Sequence, residues 1–218
     1  DRVQLSPGER AEIVVDVDPG ERTVLRSLAP DLGVPLFERF AGGDDSFDVL
    51  ELRAAGTLAP APAVPDTLAT IDRPDPDDAV RTREFRLGDS AVNGDRMDLD
   101  RVDQVVTVDT TEIWEIRNTD GNPHSFHPHL VHFAVLDVDG EPPPPELAGW
   151  KDTLYVPPNT TMRIIARFED HADPTTPYMF HCHVLRHEDQ GMMGQFVVVE
   201  RGDEPDLSGM GAMPGHDH

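Results

Sequence analysis

Apolar and polar positions alternate with a period of two over short stretches of this 218-residue chain, and turn formers separate the stretches. "AEIVVDV" (11–17), "RTVLRSL" (22–28) and "FDVLELR" (47–53) are short, β-branched and bounded by Gly, Pro or Asp, which predicts strands. The alternation then stops. Residues 54–81 are rich in Ala, Pro and Asp and have no period. Proline fixes φ and removes a backbone donor, so this stretch predicts an extended linker lying on a surface. Alternation resumes at 82–88, 104–108, 111–118, 129–138, 161–168, 178–184 and 194–200, with turn signals such as "VNGD" (92–95) and "VDGEPPPP" (138–145) between. No amphipathic helix of useful length is visible. About seven strands over roughly 120 residues predict an all-β Greek-key sandwich or barrel.

Two parts follow from this pattern. Residues 1–53 read as the closing strands of a preceding β-domain, and residues 82–200 as a complete β-sandwich. Residues 201–218 are polar and rich in Gly and Pro, which predicts a disordered tail. The chain opens with Asp1 rather than Met, which predicts a processed chain or a fragment.

Charge narrows the partners. The sequence has 18 Lys+Arg against 42 Asp+Glu, a formal net charge of −24, and its only lysine is Lys151. Such a surface repels nucleic acid and anionic membrane. It suits a protein that meets cations or neutral substrates, or one that works in high salt. No apolar run approaches the length of a membrane span. A single cysteine allows no internal disulfide, so cysteine usage leaves the redox compartment open.

That cysteine has unusual company. In "YMFHCHVLRHEDQGMMG" (178–194), His181 and His183 flank Cys182, His187 follows five residues on and Met192 ten residues on. Upstream, "PHSFHPHLVHF" carries His124, His127 and His129. Successive side chains of a strand point to opposite faces. Cys182 therefore faces away from His181 and His183, and His124 away from His127 and His129. If the two segments are neighbours, Cys182 and His124 meet on one side, and four imidazoles meet on the other. With His187 and Met192, the first side becomes the His₂Cys site with a weak axial Met that is typical of blue copper. Met193 is the alternative axial ligand. The second side offers imidazole alone, which suits copper that touches oxygen. One thiolate with an adjacent methionine favours copper over zinc. Nothing resembles a cysteine nucleophile at a helix start with a separate base. His132 lies eight residues from His124, roughly 26 Å along an ideal strand, and reads as structural. His216 and His218, near Met210 and Met213, lie in the tail.

"HSFHPH" followed by "HCHVLRHEDQGMM" resembles the two C-terminal copper motifs of the multicopper oxidases, a family that includes laccases, bilirubin oxidases, spore-coat laccases and copper-efflux oxidases. The similarity extends to "TEIWEIRN", "GWKDTLYVPP" and "LSPGERAEIVVDV", the last resembling the end of a middle domain. It is greatest to bacterial three-domain enzymes of the copper-efflux and spore-coat type. The resemblance implies cupredoxin β-sandwich domains. It makes His124, Cys182, His187 and Met192 type 1 copper ligands, His127 a type 2 ligand, and His129, His181 and His183 type 3 ligands. It implies four coppers per complete assembly, one-electron oxidation of a small phenolic, aromatic or metal-ion reductant, reduction of O₂ to water, and an extracytoplasmic location. The family's N-terminal domain supplies two further H-x-H pairs, but the only H-x-H here outside the two motifs is in the tail. The chain alone is therefore expected to be incomplete, with its partner the N-terminal cupredoxin domain of the same oxidase. The methionine-rich insert of copper-efflux oxidases is missing. The alternatives are a cupredoxin-type electron-transfer or copper-binding module without oxygen chemistry, and an interaction protein on a scaffold that has lost its copper.

Two acids complete the candidates. Glu188 follows His187, so in an extended segment it points away from Cys182, toward the imidazole side. Oxygen reduction consumes protons there, and the resemblance links an acid at this position to their delivery. Asp120 lies four residues before His124 in "NTDGN". It reads either as a substrate-side carboxylate or as an ordinary turn residue.

Overall fold

Arg83, Phe85 and Leu87 are buried and alternate with exposed neighbours along Ala79–Gly88, so one face of this strand looks into a core and the other into solvent. The computed structural model, which describes residues 2–30, 32, 43–206 and 208, has thirteen strands among them. They are β1 (Arg22–Ser27), β2 (Phe47–Arg53), β3 (Ala79–Gly88), β4 (Ala91–Val92), β5 (Gln104–Thr107), β6 (Thr110–Asn118) and β7 (His124–Pro128), then β8 (Phe133–Val138), β9 (Trp150–Lys151), β10 (Leu154–Val156), β11 (Thr161–Phe168), β12 (Asp173–Cys182) and β13 (Met193–Val199). One short helix, α1 (Leu185–Asp189), lies between β12 and β13. None of the described helices is long and apolar enough to cross a membrane.

The chain divides into two compact units: residues up to Glu9 together with those from Arg73 onward, and residues Arg10–Asp72. In the Arg10–Asp72 unit, β1 and β2 pair antiparallel as a two-stranded sheet, with a register slip between Leu25 and Arg26. Val24, Leu25, Phe47, Val49 and Leu50 of this hairpin are all exposed. The expected strand at 11–17 does not form. Its Ile13, Val14 and Val15 are exposed, and the segment joins no sheet. Alternation gives a strand only when a neighbour takes its backbone hydrogen bonds. Residues 54–72 are irregular and exposed, but Ala79–Arg81, at the end of the expected linker, belong to β3.

The larger unit is a two-sheet sandwich with cupredoxin-like architecture. One sheet has five strands in the order β10-β7-β12-β13-β5, the other six in the order β4-β3-β6-β11-β8-β9. Most neighbours are antiparallel; β3 with β6 and β13 with β5 are parallel. Phe85, Trp114, Phe133 and Phe168 of the six-stranded sheet share one core with Phe126, Phe180 and Phe196 of the other. Phe85 sits 4.6 Å from Trp114 and 5.0 Å from Phe180, ring centre to ring centre, and the edge-to-face contact with Phe180 bridges the sheets.

The expected strand at 129–138 is two pieces of chain. β7 ends at Pro128 in one sheet, and β8 begins at Phe133 in the other. The crossing between sheets turns at Leu130, whose φ is +74°. β4, β9 and β10 have two or three residues each, too few to show a period.

A charged group in the core has its own reason. Arg83 forms a two-pronged ion pair with Glu112, at 2.6 and 2.7 Å. It also donates to Gln104 Oε1 and to the Val105 carbonyl of the opposite sheet. Glu112 in turn accepts the Trp114 indole N–H at 2.9 Å. A buried carboxylate stripped of its cation is costly. Arg83→Met is therefore expected to lower unfolding free energy by about 3–5 kcal/mol, read as a lower urea midpoint at unchanged slope. Arg83→Met combined with Glu112→Leu should regain more than half of that loss. A double variant no more stable than the single one would show that the pair is not the source.

Candidate metal centre

The pairing of β7 with β12 sorts the candidate residues. Its register sets His181 opposite His127 and Cys182 opposite Phe126. Directly opposed residues share a face, so Cys182 lies with Phe126 and, two residues along, His124. That face is the core, and Cys182 and His124 are buried there. His181 and His127 occupy the other face. Beyond β7, the His129 N–H donates to the Met179 carbonyl at 2.8 Å, which keeps His129 beside β12. The His183 N–H donates to the Ser125 carbonyl at 2.6 Å, beyond the other end of the pair.

His187 reaches Cys182 by a different device from the extended loop expected. Residues Leu185–Asp189 coil into one helical turn, with the His187 and Glu188 N–H groups both donating to the Val184 carbonyl. Gly191, at φ +85°, turns the chain back, a conformation that disfavours any side chain with Cβ. The Cys182 N–H then donates to the Met192 carbonyl at 3.0 Å.

The result is a compact thiol and imidazole group. His124 Nδ1 and His187 Nδ1 are 3.2 Å apart, and Cys182 Sγ lies 3.6 Å and 3.5 Å from them. A triangle of those edges has its centre about 2 Å from each corner, close to the bond length of a metal to imidazole nitrogen or thiolate. The donor set therefore fits a copper ion. Met192 is fully buried against the same core, whereas Met193 pairs with His181 and so shares the imidazole face. That geometry favours Met192 over Met193 beside Cys182. The Ser125 N–H donates to Cys182 Sγ at 3.4 Å.

The second group is imidazole only. His127, His129 and His181 bring ring nitrogens within 4.8 Å of one another. His183 completes the set, its ring centre 5.3 Å from that of His181 and 5.8 Å from that of His127. His129 Nε2 and His181 Nε2 approach to 3.3 Å. Away from the group, the His127 Nδ1–H donates to the Asp152 carbonyl at 2.7 Å. His181 Nδ1 faces the Cys182 carbonyl at 3.4 Å and Glu188 Oε2 at 3.7 Å. Rings held at Nδ1 present the Nε2 lone pair to a metal, as ligating histidines do.

Both acids lie beside the histidines. Glu188 faces His181, on the imidazole side, although it sits on a helical turn rather than extended chain. Asp120 Oδ1 stands 3.3 Å from His124 Nε2, which is buried and makes no well-directed hydrogen bond. Asp120 also accepts the Asn122 and Asp89 N–H groups, so it is a turn residue and a neighbour of the buried histidine at once. His216, His218, Met210 and Met213 lie outside the described residues. Asp152, which orients His127 through its carbonyl, and Ser125, which touches Cys182 through its N–H, escape a sequence reading. These two contacts are made by backbone atoms, which residue type hardly records.

The chain matches the family model described as multicopper oxidase over residues 61–202. It is 32% identical over 203 residues to "Multicopper oxidase mco" of Staphylococcus haemolyticus, covering 90% of this chain and 39% of that protein. It is 35% identical over 215 residues to "Laccase" of Haloferax volcanii, covering 91% and 35%. It is also 34% identical over 205 residues to "Cell division protein FtsP" of Dickeya dadantii, covering 90% and 42%. Among solved structures, the laccase-like multi-copper oxidase CueO of Ochrobactrum sp. superposes with a TM-score of 0.68 at 31% identity, over 83% of this chain and 42% of that one. The multi-copper oxidase of Pediococcus acidilactici gives 0.67 at 29%, over 87% and 37%. The chain belongs to the multicopper oxidase family, which supports an oxidoreductase and implies copper as its cofactor. It spans about two fifths of the length of the relatives it matches.

Burial sets the protonation of the metal-free groups. It pushes the His124 imidazole down to about 4, against the pull of Asp120 and helped by His187. Burial also lowers His129, His181 and His187, and raises the Cys182 thiol. A histidine whose folded pKa lies below its unfolded value binds its proton less well when folded. The metal-free fold should therefore lose stability as pH falls through about 6.5 toward 4. Acid also relieves repulsion on a surface this negative, so the comparison is with His124→Asn. Relative to that variant, the metal-free protein should lose on the order of 3 kcal/mol between pH 7.5 and 4.5 in urea titrations. A constant difference across that range would remove His124 as the source.

Proposed function

We propose that this chain carries the substrate-side copper site and half of the oxygen-side site of a laccase-type oxidase. The observation that carries this reading is the pair of donor groups on opposite faces of β7 and β12, joined through consecutive residues His181–Cys182–His183. In this reading His124, Cys182, His187 and Met192 would hold type 1 copper. His127 serves type 2 copper, and His129, His181 and His183 serve type 3 copper. Copper, when bound, supplies one-electron oxidation of a small phenolic, aromatic or metal-ion reductant and four-electron reduction of O₂ to water. A complete assembly holds four coppers.

The protein's own residues do the rest. Cys182 is bonded through backbone to a histidine on either side, so electrons need not cross a gap between the two faces. Burial of Cys182 and His124 excludes water from the thiolate side. Glu188 places Oε2 3.7 Å from His181 Nδ1, where it would relay protons that oxygen reduction consumes. Asp120 beside His124 marks the edge at which a phenol or cation gives up its electron. Two further H-x-H pairs come from an N-terminal cupredoxin domain of the same oxidase. The exposed apolar hairpin β1–β2 fits the closing strands of a preceding β-domain. We place the protein outside the cytoplasm, in keeping with the family resemblance.

A second reading has its own support. The likeness to a protein named for cell division favours an interaction role on the same scaffold. A copper-binding electron carrier without oxygen chemistry stands between the two. Four coppers per complete assembly with phenol-dependent oxygen uptake are expected. One copper without uptake would mean an electron carrier, and none a scaffold. Cys182→Ser is expected to abolish the intense thiolate-to-copper absorption with the fold retained, and a Ser variant that stays blue would overturn the assignment. Glu188→Gln should leave bleaching by substrate fast but slow the return of colour under oxygen at least tenfold, followed by stopped flow. Return at the parent rate would exclude Glu188 from proton delivery.

A further inference from the structure

The turn Ser6–Glu9 lies against both histidine-bearing segments. It is closed upon itself: the Glu9 N–H donates to the Ser6 carbonyl at 3.0 Å, and the Ser6 N–H donates to Glu9 Oε2 at 2.7 Å. Three contacts then fasten it to the site. Ser125 Oγ donates to the Pro7 carbonyl at 2.7 Å and lies 2.8 Å from Ser6 Oγ. Glu9 Oε1 pairs with Lys151 at 2.6 Å, with the two side chains only 2% and 15% exposed. This is the chain's single lysine, and the next residue is Asp152, whose carbonyl orients His127.

The third contact is the tightest. Gly8 has φ +88°, and a Cβ built there would lie 2.6 Å from His183 Cδ2 and 3.1 Å from both Cγ and Nε2. The imidazole is therefore pressed against bare backbone. A ring in van der Waals contact with backbone cannot turn freely about its Cβ–Cγ bond. Ser125 connects the same turn to the other face, because its carbonyl accepts the His183 N–H and its N–H donates to Cys182 Sγ.

We propose that the Ser6–Glu9 turn is a positioning element for the imidazole group, in which Gly8 sets the orientation of the His183 ring and the Ser6–Ser125 and Glu9–Lys151 contacts hold the turn in place. The copper part of this inference rests on the reading under Proposed function; the ring orientation does not. Gly8 and Glu9 touch no substrate and act through His183 and Lys151.

Gly8→Ala in the intact protein is the test, and Gly94→Ala is its control. Gly94 has the same φ of +88° with nothing within 4 Å of a built Cβ, so it reproduces the backbone strain without the contact. In metal-free protein labelled at histidine, Gly8→Ala should move the His183 ring resonances and Gly94→Ala should not. After copper loading, Gly8→Ala should lose at least one copper per protein while keeping the blue absorption of the parent; Gly94→Ala should keep both. Should Gly8→Ala fail to fold, Glu9→Gln carries the test, with smaller changes in the same direction. Unmoved His183 resonances in the folded variant would overturn the proposal. So would parallel loss of the blue absorption, since that marks a general effect on the fold. A parent that binds no copper at the imidazole group would instead defeat the functional reading, and the His183 resonances would still decide the role of Gly8.

Discussion

The pairing of β7 with β12 is the constraint on which the rest depends. Because the side chains of a strand alternate, one choice of register assigns every candidate residue at once. With His181 opposite His127, the thiol and His124 go to the core face, and His181 and His127 to the outer face. A slip by one residue would exchange the faces and bury imidazoles in place of Cys182. The core resists such a slip. Phe126 and Phe180 alternate with the site residues on these strands and lock into the aromatic cluster of Phe85 and Trp114. The same sandwich that stabilises the fold therefore fixes which donor faces which way.

The two faces differ in solvent access, and the chemistry of the donors follows. Core-facing Cys182, His124 and Met192 are almost wholly buried. Of the outer-face histidines only His181 is buried, and His127, His129 and His183 are partly accessible. A soft thiolate that exchanges single electrons gains from a dry, rigid setting. Imidazoles that must meet a small molecule need an approach. Helix α1 serves both faces at once, since it carries His187 toward Cys182 and Glu188 toward His181. An extended chain would also send these adjacent side chains apart, but the helical turn with Gly191 brings the chain back so that both reach the site.

The sequence made the sandwich and the donor set legible for a definite reason. Period-two alternation is strong in β3, short β-branched runs mark β6, β11 and β13, and histidines at H-x-H spacing declare a shared face wherever the backbone is extended. Three kinds of feature stayed hidden. β7 carries three polar residues and a proline, so it has no apolar period, and only its partners make it a strand. α1 is shorter than two helical turns and shows no period either. Asp152 and Gly8 act through a backbone atom or through the lack of a side chain, and Ser125 meets Cys182 and His183 through its backbone; residue type hardly records such roles. Residues 11–17 err in the opposite direction. Their alternation is real, but no strand in the described residues lies beside them.

An acidic chain that holds cations has to manage its own charge near the site. Its buried ion pairs, Arg83–Glu112 in the core and Lys151–Glu9 at the turn, neutralise carboxylates that burial would otherwise penalise. The donor groups carry the reverse problem. Burial favours a protonated thiol at Cys182 and unprotonated imidazoles at His124, His129, His181 and His187. Unprotonated imidazole is already the ligand form, so the histidines need no further change to bind a metal. The thiol alone must give up a proton, and only a cation beside it offsets burial of the resulting charge. Metal binding at the thiol face is thus coupled to release of one proton from a site shaped in advance by the β7–β12 register. The free energy of binding is not consumed in folding the donors into place.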